Sequence, residues 1–180
     1  MATSGFFRRL WLTRFSRPAG ERVIYRHLLR TPARRILELG LGLLVRTERV
    51  LQTAAGQQGP IQYVGLDRFE GRAPTDPPGV SLKQAHQRLH ALGKVQLVPG
   101  TVDTSLSRLC NHLGSFDLVL VAAENDDRHL ERCWFFLQRL ITPQTTVFVE
   151  SRSVGGSSWQ LMTKPRIDEL AAKSVLKKAG

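Results

Sequence analysis

Residues 35–42 read RILELGLG, an apolar run that ends in two glycines one residue apart. Arg35–Leu39 has the length and composition of a buried β-strand, and the glycines at 40 and 42 break it. Helical spacing of apolar residues follows over Leu43–Ala55. In a strand, glycine turn and helix of this kind, the backbone approaches a ligand closely and the helix N-terminus offers free N–H groups. The stretch therefore predicts the first unit of an α/β ligand-binding domain.

The same alternation continues along the chain. Apolar strands that alternate with helices predict a mostly parallel sheet of at least five strands, with helices on both faces: a three-layer α/β sandwich. The strands predicted after the first are Ile61–Leu66, Lys94–Val98, Phe116–Val121 and Thr145–Glu150. The predicted helices are Glu21–Arg30, Leu43–Ala55, Ser81–Leu92, Asp103–Leu113, a stretch around Leu130–Leu140, and Pro165–Lys178, with a Gly/Ser loop at Gly155–Ser158.

An acidic residue supports the interpretation of the glycine turn as part of a ligand site. Asp67 ends the second predicted strand, 25 positions after Gly42. Ligands in such sheets bind at the carboxyl ends of the strands, where an acid at this position can accept hydrogen bonds from both ribose hydroxyls of a nucleoside. The alternative is a glycine-rich turn and an unconnected surface aspartate.

The segments ILELGLG, YVGLD, VQLVPG, FDLVLVAAEN and TTVFVES resemble the class I S-adenosylmethionine (SAM)-dependent methyltransferases, over about Arg35 to Ser151. The resemblance implies a Rossmann-like fold, SAM as cofactor and a methyl acceptor that the sequence does not identify. The implied cofactor contacts are Glu38, Gly40 and Gly42 beneath the methionine part, Asp67 at the ribose, and Gly100, Thr101 and Val102 beside the adenine.

The chain departs from the family pattern after the fourth strand. Ala122 stands where metal-dependent members have an aspartate that helps to hold a divalent ion, so no metal is expected. Glu124 and Asn125 remain as catalytic candidates that can orient or deprotonate a nucleophile, or can equally cap the next helix. Only about thirty residues follow Glu150, and Trp159–Met162 supplies one short strand, so a reduced C-terminal edge is expected.

Two other ligand classes fit the sequence less well. NAD-binding turns share this layout, but Val45 stands where their fingerprint requires Gly or Ala for close helix packing. His86 and His90 have the i, i+4 spacing of a metal pair, yet no third ligand is evident. Two functional hypotheses remain: a methyltransferase that works mainly by positioning, and a non-enzymatic SAM- or nucleotide-binding module.

The net charge of +11 lies at the two ends of the chain. Residues 1–35 carry +8, residues 164–180 carry +3, and the middle is balanced. We expect a basic arm at residues 1–18, a SAM-binding domain at 19–163 and a basic helix or tail at 164–180. The basic ends suit nucleic acid, another polyanion or anionic lipid, or are solvated arms. Arginines alternate with aromatic residues in the arm, namely Phe6, Phe7, Trp11 and Phe15.

Cysteine content and hydropathy bear on the compartment. Cys110 and Cys133 form no CxxC pair and are expected to be buried free thiols in a reducing compartment. No apolar run approaches the roughly 20 residues that cross a bilayer. A cytoplasmic location is expected, although the arginine-rich N-terminus also resembles an organellar targeting segment.

Overall fold

The computed structural model describes residue 7 and residues 10–56, 59–125, 127–154 and 156–176. Within these ranges the chain forms a six-stranded sheet in the order β3-β2-β1-β4-β5-β6. The first five strands are parallel neighbours, and β6 pairs antiparallel with β5. The strands are β1 Arg35–Leu39, β2 Gln62–Asp67, β3 Lys94–Pro99, β4 Leu118–Val121, β5 Thr146–Ser153 and β6 Gly156–Met162.

A helix connects each parallel strand to the next in sequence, and one further helix precedes β1 and one follows β6. The helices are α1 Arg22–Arg30, α2 Val45–Ala55, α3 Leu82–Leu89, α4 Val102–Leu113, α5 Asp127–Leu137 and α6 Lys164–Leu176. Short 3₁₀ turns precede α1 (Ala19–Glu21), extend α3 (His90–Leu92) and α5 (Gln138–Leu140), and follow β2 (Phe69–Gly71). The Ser-x-x-Gln spacing of Ser81 and Gln84 in the sequence predicts a capping box at the start of α3. It is confirmed, because Ser81 Oγ accepts from Gln84 N and Gln84 Oε1 accepts from Ser81 N.

Both faces of the sheet are buried, as predicted for a three-layer fold. Successive strand residues point to opposite faces. Ile36 and Leu118 therefore pack with α1, α2 and α3 on one side, while Leu37 and Val119 pack with α4, α5 and α6 on the other. The α/β prediction is confirmed.

Two predicted boundaries are wrong for local reasons. The predicted loop Gly155–Ser158 belongs mostly to β6, because β5 continues to Ser153 and its last residues pair with Ser157 and Gly156. Helix α2 begins at Val45 rather than Leu43, since Leu44 adopts a left-handed φ of 67°. Small polar side chains are tolerated on an edge strand, which is why the Gly/Ser pattern misled the prediction.

Both ends of the described chain contact the domain. Residues 10–14 are helical, and Leu12 is buried against the core. Ile167 and Ala171 of α6 are also buried in the core. Phe6, Arg8, Arg9, Lys177 and Lys178 lie outside the described residues.

The cysteine prediction is confirmed, since Cys110 and Cys133 are buried free thiols. In the described part of the chain, none of the helices has both the length and the apolar character needed to cross a membrane.

Candidate active site

A cleft opens where the carboxyl ends of β1, β2 and β4 meet. Backbone hydrogen bonds hold these ends together: Gly40 N donates to Leu66 O over 2.8 Å, and Ala122 N donates to Leu39 O over 2.9 Å. The residues that line the cleft are Gly40, Asp67, Arg68, Arg72, Gly100, Thr101, Val102, Glu124, Asn125 and His129. The structure thus brings together most of the residues predicted from sequence, although Glu38 and Gly42 lie outside the lining.

Asp67 fixes the conformation of the glycine loop. Its buried Oδ2 accepts from Leu41 N at 2.7 Å and from Gly42 N at 3.3 Å. Oδ1 accepts from Phe69 N at 2.8 Å. Hydrogen bonds to a carboxylate are stronger than neutral ones. The carboxylate therefore joins the loop after β1 to the loop after β2.

Glu38 supports the loop from below. Its side chain is fully buried and accepts from Tyr63 OH at 2.7 Å, Thr47 Oγ1 at 2.9 Å and Arg46 Nε at 2.7 Å. Burial and the neighbouring carboxylate raise the pKa of Tyr63 well above its ordinary value, so the phenol remains a donor. Arg46 Nη2 also donates to Gly40 O at 2.6 Å. Glu38 thereby positions the loop through Arg46.

Gly40 cannot carry a side chain without disturbing the cleft. Its φ is +85°, and a Cβ there would lie 2.7 Å from Glu124 Oε1 and 3.1 Å from Ala122 Cβ. The Glu124 carboxylate consequently lies directly over the glycine loop.

Arg72, which sequence reasoning missed, closes the cleft. Its Nη2 lies 2.6 Å from Asp67 Oδ2 and its Nη1 lies 3.1 Å from Glu124 Oε2. Nη1 also donates to Pro77 O at 2.9 Å. The remaining free volume is about 10 Å³, roughly the room that one water needs. The only sequence signal was an arginine in a Pro/Gly-rich loop after an acidic strand end.

The two carboxylate oxygens of Glu124 differ in their contacts. Oε1 is buried and has no hydrogen-bond partner among the described residues. Burial raises the pKa of the Glu124 carboxyl above its ordinary value, although Arg72 acts in the opposite direction. A carboxylate of raised pKa is a stronger base than an ordinary one.

The side-chain amide of Asn125 donates to two backbone carbonyls. Its Nδ2 donates to Leu39 O at 2.9 Å and to Ala122 O at 2.8 Å, which ties together the ends of β1 and β4. In this geometry the side chain holds the loop that carries Glu124. Its catalytic role stays a prediction.

A second acidic group lies at the adenine end of the predicted site. Thr101 Oγ1 donates to Asp103 Oδ1 at 2.7 Å, and His129 Nδ1 lies 2.9 Å from the same oxygen. Burial works to raise the pKa of Asp103, but these neighbours outweigh it and the pKa lies below its ordinary value. Sequence analysis did not single out His129, which comes 26 residues after Asp103.

Within the described ranges, no three His, Cys, Asp or Glu side chains are grouped so that they could hold a metal ion. The groups that face the cleft are instead carboxylates and guanidinium groups in mutual contact.

Solved structures share this architecture. The O-methyltransferase TomG of Streptomyces achromogenes, solved in complex with SAM, matches 77% of this chain at 21% identity and a TM-score of 0.55. A TehB-like SAM-dependent methyltransferase of Corynebacterium glutamicum matches 96% at 14% identity and a TM-score of 0.55. The N-methyltransferase NodS of Bradyrhizobium japonicum matches 96% at 12% identity and a TM-score of 0.51.

The chain has the fold of SAM-dependent methyltransferases. It spans 57% of the TomG chain, 80% of the TehB-like chain and 81% of the NodS chain. No protein-family model matches the sequence, and no curated protein matches it. The similarity to methyltransferases is therefore a similarity of fold, at low sequence identity. Its antiparallel edge consists here of the single strand β6 in the described residues, as the short C-terminal region predicted.

Proposed function

We propose that the chain is a SAM-dependent methyltransferase whose methyl acceptor is not yet identified. The observation that carries this proposal is the junction of Asp67 with the glycine loop. One buried carboxylate joins the ends of β1 and β2, where nucleoside ligands of such sheets bind. The methyltransferase fold of the neighbours supports the same cofactor.

The residues present fit SAM on one condition. Gly40 has no Cβ and leaves the backbone approachable, and Asp67 supplies a carboxylate for a ribose diol. Gly100, Thr101 and Val102 line the opposite end of the cleft. With about 10 Å³ free, the cleft is smaller than a nucleoside, and the Arg72 guanidinium occupies the Asp67 oxygen that a ribose would need.

When bound, SAM supplies a methyl group on a sulfonium centre, and in-line alignment with the acceptor provides much of the catalysis. We assign the catalytic base to Glu124, whose unpartnered Oε1 faces the glycine loop and can accept the acceptor's proton. Asn125 positions this carboxylate by holding its loop to Leu39 and Ala122.

Calorimetry with SAM, S-adenosylhomocysteine (SAH) and NAD, each in turn, tests the cofactor assignment. SAM and SAH should bind and NAD should not. Asp67→Ala should weaken SAH binding by about 1–3 kcal/mol, as for a lost hydrogen bond to a charged group. Asp117→Ala is the matched control, because Asp117 accepts from the backbone of Arg34 and Arg35 at the other end of the sheet. Equal losses in the two variants would reject the ribose role.

The closed cleft and the reduced edge favour one alternative, a SAM- or nucleotide-binding module without catalysis. The two functions differ in the consequence of Glu124→Gln. Catalysis is supported if the Glu124→Gln variant binds SAH as the wild type does but forms less SAH than the wild type from SAM and a panel of phenols and amines. A wild-type protein that binds SAM and forms no SAH with any acceptor supports the module.

We also propose a reducing, cytoplasmic location. Two buried free thiols, Cys110 and Cys133, are typical of a compartment in which disulfides do not form.

A further inference from the structure

One face of the N-terminal helical segment is apolar and exposed. Phe7, Trp11 and Phe15 follow each other at intervals of four residues and are 66%, 46% and 63% exposed. Leu10 lies beside them, and the four side chains line one open surface. Leu12, on the opposite side of the segment, is buried in the core. We call the exposed set Phe7, Leu10, Trp11 and Phe15 the aromatic face.

The domain holds this segment with its aromatic face outward. The Arg49 guanidinium lies 5.2 Å from the Trp11 ring centroid, and Arg49 Nη1 donates to Arg17 O at 2.7 Å. Arg22 Nε donates to Ser16 O at 2.9 Å. Because these contacts fix the segment, little order has to be gained when the aromatic face meets a partner.

The surface around the aromatic face is cationic. Glu21 is the only acid among residues 10–35, and it is buried beside Tyr25 and Arg49. Arg14 and Arg17 are exposed beside these rings in the sequence, and the exposed Arg26 donates from Nε to Thr13 O at 3.4 Å. A partner that covers this region must therefore be apolar where it meets the rings and anionic around them.

We propose that the aromatic face is a docking site for anionic lipid bilayers. Aromatic rings on one side of a short helix, bordered by arginines, match the composition of interfacial membrane helices. The arginine charges are attracted to acidic headgroups, while the rings enter the boundary between headgroups and acyl chains. The chain would thus bind the membrane surface peripherally.

A bilayer explains the face better than a nucleic acid does. Binding of single strands relies on aromatic rings on which separate bases stack. Leu10 cannot stack in this way, yet it lies within the same continuous apolar surface as Trp11. Burial of one contiguous apolar surface is what a lipid interface provides.

Vesicle binding by the full chain tests the proposal. Phosphatidylcholine vesicles with and without 50% phosphatidylglycerol serve as probes in co-sedimentation. We expect binding at least about tenfold stronger with the anionic lipid, and weaker in 0.5 M NaCl because salt screens the arginines. The other two tryptophans, Trp134 and Trp159, are buried, so a blue shift of fluorescence reports Trp11. Brominated lipids should quench the same signal in the wild-type protein.

Paired variants separate a docking face from charge attraction alone. Leu10→Ser with Phe15→Ser should reduce anionic vesicle binding about tenfold, since two apolar side chains that would enter the bilayer are lost. Val154→Ser with Leu161→Ser, which alters two exposed apolar residues of the β5–β6 hairpin, should leave binding unchanged. Circular dichroism checks the fold of each.

Three outcomes would overturn the proposal. The first is wild-type protein that does not bind anionic vesicles, and the second is binding with no quenching by brominated lipid. The third is a Leu10→Ser, Phe15→Ser variant that binds vesicles normally but loses binding to a 30-nucleotide single-stranded RNA, which would assign the aromatic face to nucleic acid. Should that double variant not fold, quenching in the wild-type protein decides.

Discussion

Arg72 and Asp67 form an ion pair of 2.6 Å across the mouth of the cleft, between Nη2 and Oδ2. The same oxygen accepts from Leu41 N in the glycine loop. A ribose that binds Asp67 must therefore replace the guanidinium but can leave the loop bonds in place. The ion pair competes with the proposed cofactor for one carboxylate.

Arg72→Ala should consequently strengthen SAH binding. Removal of the guanidinium frees Asp67 and clears space, and we expect about three- to tenfold higher affinity, in the range of a partly buried ion pair. Thermal stability should fall, because Asp67 and Glu124 are then left as unpaired neighbouring carboxylates. Calorimetry and thermal melts measure the two effects.

Arg68→Ala is the matched control for that variant. Arg68 lines the same cleft and carries the same charge, but its salt bridge is to Asp76. It should leave SAH affinity near that of the wild type. A gain of equal size in both variants would point to net charge rather than to the Arg72–Asp67 pair.

Gly40→Ala should abolish SAH binding through steric overlap. Both Gly40 and Gly59 have a positive φ, but a Cβ at Gly59 lies within 4 Å of none of the described residues. Alanine costs each position about 1 kcal/mol of backbone strain, so stability should fall in both. Only Gly40→Ala should lose the ligand, and similar titrations for the two variants would contradict the close approach of a ligand at residue 40.

Tyr63→Phe should lower SAH affinity in the cleft through its effect on Glu38. The variant deletes a 2.7 Å hydrogen bond to a buried carboxylate, for which we expect about 1.5–3 kcal/mol of lost unfolding free energy. Tyr25→Phe deletes a comparable 2.6 Å bond to Glu21, whose ion pair is with Arg49 at 3.7 Å rather than with Arg46. Denaturation should show both losses, whereas SAH affinity should fall in Tyr63→Phe alone if Glu38 positions the loop.

His27 predicts a pH dependence of stability. Burial lowers the pKa of His27 below 6.5, and its ring meets Phe148 edge-on at 5.6 Å. The unfolded chain takes up the proton first as pH falls, so stability is full above about pH 6.5 and declines as pH falls through the folded-state pKa. His27→Gln should flatten the unfolding free energy between pH 7 and 5 relative to the wild type. Parallel curves for wild type and His27→Gln would contradict the assignment.

Local sequence signals accounted for most of the fold. The strand Arg35–Leu39 was predicted to the residue because its apolar run is bounded by glycine, and Ser81 with Gln84 identified the start of α3. Asp67 was found because it closes the strand after the glycine turn. These features depend on neighbours in sequence, which is what a pattern can report.

No local sequence pattern indicated that Arg72 closes the cleft. Arg72 and Glu124 are 52 positions apart, and only the parallel register of β1, β2 and β4 brings them together. The contact between Asp103 and His129 similarly depends on the packing of α4 against α5. Chemistry built from loops of separate strands becomes visible only when the sheet order is known.

The single antiparallel strand at the edge of the sheet bears on the protein's solubility. An exposed strand edge can recruit the edge of another chain and so start aggregation. Here the turn Ala19–Glu21 lies against β6 so tightly that a Cβ on Gly20 would overlap the carbonyl of Ser157. The turn that joins the helical segment to α1 thus covers the free edge of β6. Detaching it would expose β6 and favour insoluble, cross-strand assemblies.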